Sequence, residues 1–126
     1  MKTKSFLLLL LTVFLVSNSL AQDSKIIVMN QYWAKEGKIQ EVYQHRLYAS
    51  EVRKKLGLAV GRVLLNTEAE AGSPHVIWEC EYPSNEAREK DIQLLTESGQ
   101  FEDVMEKMGT LIDKFDRSIY KTLSSE

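Results

Sequence analysis

Ile26, Val28, Asn30 and Tyr32 alternate with Ile27, Met29, Gln31 and Trp33. Successive side chains of a strand point to opposite faces, so residues 24–34 are predicted to form a strand. Both rows are largely apolar, which predicts a central strand covered on two sides. "KEGK" at residues 35–38 reads as a turn. The period then changes. Over residues 39–56, Ile39, Val42, Tyr43 and Leu47 recur at helical spacing, and Val52 and Leu56 extend the stripe. Arg53, Lys54 and Lys55 fall in the last turn, where cations suit the helix dipole, and Gly57 followed by Leu58 reads as a Schellman ending.

Residues 61–67 read as a second strand, residues 68–74 as a polar loop and residues 75–82 as a third strand; the short connection predicts antiparallel pairing. This third strand has two unlike rows. Val76, Trp78, Cys80 and Tyr82 are apolar; His75, Ile77, Glu79 and Glu81 are mostly acidic. Ser84 is a suitable N-cap for a helix over residues 85–97, with Glu86 in its first turn. Ser98-Gly99 interrupts it. A further helix is predicted over residues 101–115, with the stripe Phe101, Val104, Met105, Met108, Ile112 and Phe115, and a last strand over residues 117–123 before a short tail. The methionines read as core side chains rather than metal ligands. The order βαββαβ predicts an α+β, ferredoxin-like domain: an antiparallel sheet with its helices on one face.

The first residues change the picture of where this domain works. Lys2 and Lys4 precede an apolar run at residues 6–16, and Ser19-Leu20-Ala21 follows as a small-x-small triplet. This predicts a secretory signal peptide over residues 1–21; the run is too short for a transmembrane span. Residues 22–126 then form a single exported domain, periplasmic or secreted, with no stable membrane span after cleavage. Without Lys2 and Lys4, 14 basic residues face 18 acidic ones, a net charge of about −4, which argues against nucleic-acid binding. Cys80 is the only cysteine. No intrachain disulfide is possible, and Cys80 reads as a buried small hydrophobe. An exported domain of this size then relies on its core or on self-association. One sheet face lacks helices, and leaving it bare would expose an apolar patch, so a homodimer joined through that face is expected.

"KIIVMNQYWAKEGKIQEV" (residues 25–42) and "VIWECEYPSNEAREK" (residues 76–90) resemble the dimeric α/β-barrel superfamily, most closely its NIPSNAP-like and antibiotic-biosynthesis-monooxygenase-like branches. The resemblance covers essentially all of residues 22–126. It implies two ferredoxin-like sheets packed face to face with a cavity between them. Members include cofactor-free monooxygenases acting on polyketide-like aromatics and heme-degrading monooxygenases. In the heme-degrading group a pocket Asn precedes the turn Gly, and Asn30 and Gly37 share that spacing. Its pocket Trp corresponds to Tyr82, and its iron-binding His corresponds to Ile92. With Ile92 where the resemblance would put the iron-binding His, no tight heme chemistry of the degrading kind is expected, and no cofactor or metal.

Two placements of the third strand stay open. The resemblance puts Asn30 and the Trp78, Cys80 and Tyr82 row on the inter-sheet cavity. Desolvation puts that row against the helices and Glu79 and Glu81 in the cavity, because unpaired carboxylates under helices are costly. The ligand-binding candidates are Asn30, Tyr32, Trp78, Glu79, Glu81 and Tyr82. Glu79 and Glu81 are either a carboxylate pair with one raised pKa, suited to acid–base work, or a solvated face. His75 reads as an exposed loop histidine. No set of catalytic residues is complete. The expected function is a small exported dimer that binds a small apolar or aromatic ligand between its two sheets. The alternative is a cofactor-free monooxygenase or isomerase using Asn30 and the glutamates.

Overall fold

A computed structural model describes residues 24–123; the expected signal segment and the last three residues lie outside the described residues. Seven elements follow one another: β1 (Ile26–Ala34), α1 (Ile39–Lys55), β2 (Arg62–Leu65), β3 (Val76–Tyr82), α2 (Asn85–Ser98), α3 (Glu102–Leu111) and β4 (Ile112–Lys121). The strands form one antiparallel sheet in the order β2-β3-β1-β4. This is the ferredoxin-like α+β arrangement, with its second helical segment broken in two. Gly99 makes the break: it caps α2 with a left-handed φ of 66°, a conformation glycine adopts without a Cβ penalty. Ser84 caps the other end, its Oγ accepting from the Ala87 N–H at 3.1 Å.

The register decides which side chains meet. Val28 pairs with Cys80, Asn30 with Trp78, and Ile26 with Tyr82. Ile26, Val28, Asn30, Tyr32 and Ala34 are all buried, as are Val76, Trp78, Cys80 and Tyr82. These rows lie on the face covered by helices, where Val42, Met108 and Leu111 join the same core. Glu79 and Glu81 point to the helix-free face. The desolvation argument thus predicts the orientation of β3 correctly, and Cys80 is buried and free.

Three expectations are corrected. The buried face of α1 is Val42, His45, Arg46, Ala49, Ser50 and Arg53, not the stripe from Ile39 to Leu56; Ile39 is exposed. The buried positions keep helical spacing, but half of them are His or Arg, so hydrophobicity alone points to the wrong side. Second, residues 112–115 are strand rather than helix. Pairing with β4 extends along the whole of β1, from Ile26↔Lys121 to Ala34↔Ile112 with an irregularity at Trp33/Ala34, and these ladder bonds outweigh one more helical turn. Met105 and Phe115, both in the expected apolar stripe, are exposed. Third, His75 is half-buried, and its Nδ1 accepts the Ala34 N–H at 2.9 Å.

Candidate functional site

α2 buries one residue along its length, Asp91. Its apolar Ile92 and Leu94 are 42% and 46% exposed. A helix held by a single polar anchor rather than an apolar stripe does not settle onto the sheet, and a cavity of about 400 Å³ opens beneath it. Val28, Asn30 and Tyr32 of β1, Trp78 and Tyr82 of β3, and Phe115 and Arg117 of β4 line the sheet side. Arg46, Ala49 and Arg53 of α1, Ile92 and Leu95 of α2, and Val104, Met105 and Met108 of α3 line the helix side. The volume falls within the range of small-molecule sites, and apolar walls with a few polar groups are their usual composition.

The anchor is a buried network. Arg53 forms an ion pair with Asp91 Oδ1, donates to the Tyr82 hydroxyl at 3.1 Å and donates through Nε to the Ala59 carbonyl at 2.6 Å. Asp91 also accepts from the Tyr82 hydroxyl at 3.0 Å and from the Ala59 N–H at 2.9 Å. Both charges are thereby compensated, the condition under which buried ions are tolerated. Burial pushes the Tyr82 phenol well above its ordinary range and raises the Cys80 thiol as well.

Trp78 forms the cavity floor. Its Nε1 donates to the Val60 carbonyl at 2.8 Å, and the Arg46 and Arg53 guanidinium carbons lie 4.6 and 5.1 Å from its ring centre. Gly61 permits this seating. It has φ of 66°, and a Cβ there would come within 2.5 Å of the Glu79 carbonyl oxygen and 2.8 Å of Trp78 Nε1. At the β4 side, Arg117 Nε donates to Asn30 Oδ1 at 2.8 Å.

Four of the six expected ligand-binding residues, Asn30, Tyr32, Trp78 and Tyr82, converge on this cavity. Glu79 and Glu81 do not. Strand parity sends them to the opposite face, where Glu79 meets Arg62 at 3.0 Å and Glu81 meets Lys25 at 3.6 Å. They form two separate surface ion pairs, not a carboxylate dyad. The cavity itself lies between sheet and helices, so the buried row faces both the helices and the cavity. Sequence reasoning missed Arg46, Arg53, Asp91 and Arg117. The available signal was the shared helical stripe of Val42, Arg46, Ala49 and Arg53, at i, i+4, i+7 and i+11.

The donor set does not fit heme iron held by an imidazole. Ile92, at the position compared with the iron ligand, does line the cavity, but with an alkyl side chain, and among the described residues no His or Cys lines it. Among the described residues no group of three or more His, Cys, Asp and Glu is placed to hold a metal ion.

No protein-family model matches the chain, and no curated protein matches it. Solved structures do. A NIPSNAP family protein from Agrobacterium tumefaciens is 19% identical with a TM-score of 0.61, over 82% of this chain and 90% of that one. An uncharacterized NIPSNAP-like domain protein from Burkholderia xenovorans is 16% identical with a TM-score of 0.59, over 81% and 88%. A protein from Bacteroides fragilis, described as dimeric, of unknown function and ferredoxin-like in fold, is 10% identical with a TM-score of 0.58, over 78% and 96%. The chain therefore shares the ferredoxin-like fold of NIPSNAP family proteins.

Proposed function

We propose that this protein is an exported homodimer that binds a small apolar or aromatic molecule in the cavity between each sheet and its helices. The carrying observation is the cavity itself: about 400 Å³, walled by Val28, Val104, Met105, Met108, Ile92 and Phe115, with polar groups confined to a few positions. Among the described residues its lining contains no carboxylate and no imidazole, which favours binding over proton abstraction near neutral pH.

The helix-free face supports self-association. Ile27, Met29, Trp33 and Ile77 are half-buried there, and Leu64 and Tyr120 are exposed. A second sheet would cover them, and structures of this fold from Bacteroides fragilis and Thermobifida fusca are described as dimeric. Export rests on Lys2, Lys4, the short apolar run and Ser19-Leu20-Ala21. No helix among the described residues is long and apolar enough to cross a membrane. N-terminal sequencing of the protein from its native host should begin at Gln22; an intact Met1 would refute export.

Gly109→Leu tests the cavity. Gly109 lies on its wall, and a Cβ there meets nothing within 4 Å, so the variant should fold while losing room. Tryptophan fluorescence titrations with a naphthalene-based panel should show saturable binding to the wild type and at least about tenfold weaker binding to the variant, roughly 1.4 kcal/mol. Equal affinity for both would place the ligand elsewhere.

A further inference from the structure

Arg46 is 3% exposed, and its Nε–H is buried without a hydrogen-bond partner. Among the described residues no carboxylate pairs with it. An uncompensated cation at such depth is strongly unfavourable. The Trp78 ring at 4.6 Å offsets part of this through its π face but accepts none of the guanidinium's in-plane N–H bonds. Arg53, two turns along the same stripe, is treated differently: Asp91, Tyr82 and the Ala59 carbonyl take its donors. The deficit is therefore specific to Arg46, and Arg46 lines the cavity.

A second donor sits on the same cavity. Asn30 is 7% exposed, and its Oδ1 is held by Arg117, which leaves the NH₂ group of the amide as a free donor. Arg88 and Arg117 also line the cavity, and among the described residues neither is ion-paired. The site thus carries a net positive charge beside apolar walls.

We propose that the cavity takes an apolar monocarboxylate, with its carboxylate seated on Arg46 and its aromatic or aliphatic body against Ile92, Val104, Met105 and Met108. This rests on the ligand-binding reading above and adds the ligand's charge. The planar guanidinium fork matches a carboxylate in geometry. One deeply buried, uncompensated charge calls for one negative charge. A compact dianion would place its second charge against apolar wall, because Arg117 is exposed and Arg88 only half-buried. Those two arginines instead favour entry of an anion from solvent.

Calorimetric titration of the purified protein with benzoate, 2-naphthoate and octanoate, each beside its primary amide, tests this. At least one acid should bind about tenfold or more tightly than its amide, as expected for a charge-assisted hydrogen bond. Arg46→Met should abolish that preference by weakening the acid far more than the amide, and Arg46→Lys should keep part of it; circular dichroism melts report folding of each variant. If Arg46→Met does not fold, the wild-type acid-to-amide ratio and Arg46→Lys decide. Equal binding of acid and amide by the wild type would overturn the anion proposal and leave the cavity reading standing. Binding of neither would overturn both. A preference that survives Arg46→Met, or displacement of the acid by equimolar inorganic phosphate, would also overturn the proposal.

Discussion

The guanidinium of Arg46 lies 4.6 Å from the centre of the Trp78 ring and has no carboxylate opposite it among the described residues. Burial pushes its pKa down to about 10. The folded state therefore binds fewer protons than the unfolded chain once the pH passes about 10, and the charged form destabilises the fold at neutral pH. Arg46→Met keeps most of the side-chain volume and removes the charge. It should stabilise the ligand-free protein by about 1–3 kcal/mol, read as a higher urea midpoint at pH 7. A lower midpoint would mean that the arginine has a partner at neutral pH.

Asp91 should behave in the opposite way. It holds α2 to α1 and β3 through Arg53, Tyr82 and the Ala59 N–H. Asp91→Ala strands the Arg53 charge in the interior and should cost about 3–5 kcal/mol. Glu79→Ala removes a surface pair with Arg62 and should cost about 1 kcal/mol or less. Chemical denaturation of the two variants side by side checks the contrast; similar losses would contradict the assignment of Asp91 as the anchor.

Alkaline pH should loosen the fold. Burial raises both Cys80, from an ordinary 9.0, and Tyr82, from an ordinary 10.0. Groups with raised folded pKa values lend stability that is complete below their unfolded values and lost as pH rises toward the folded ones. Unfolding free energy under reducing conditions should therefore fall from about pH 9 upward. Arg46 acts with the opposite sign, but only above about pH 10. The double variant Cys80→Ala, Tyr82→Phe should start less stable and decline less over pH 9–11. An unchanged decline would assign the alkaline loss to other groups.

The helix-free face gives a separate test. Met29 and Ile77 are half-buried on the two central strands of that face. Lysine at either position should dissociate or unfold a sheet-to-sheet dimer by burying a charge. Light scattering at micromolar concentration should give a dimer mass for the wild type and a smaller species, or an unfolded chain, for Met29→Lys. A folded wild-type monomer at that concentration would refute the dimer.

Much of the fold was legible because its strands alternate cleanly. The alternating rows of β1 and β3 mark both as strands, with the acidic row of β3 turned away from the helices, and Ser84 and Gly99 mark both ends of α2. The site was harder to read. The buried face of α1 carries His45, Arg46 and Arg53, so the apolar pattern conceals it. Arg53 looked like a cation placed for the helix dipole, whereas it is buried and paired with Asp91, 38 residues along the chain. Such pairing at long range leaves no trace in local spacing. The start of β4 was hidden because Ile112 and Phe115 continue the helical period of α3; pairing with β1 makes them strand. Asn30 stood out as a polar residue in an apolar row, and it does line the cavity.

On the proposed function, a small molecule binds between the sheet and the helices. Amide and side-chain NMR shifts during titration with 2-naphthoate and its amide test it most directly. Saturable shifts are expected at Val28, Asn30, Trp78, Ala49, Val104 and Met108, with Ile77, Glu79 and Glu81 of the opposite face unmoved by either compound. Shifts centred on Ile77, Glu79 and Glu81, or no saturable shift at the cavity residues with either compound, would contradict it.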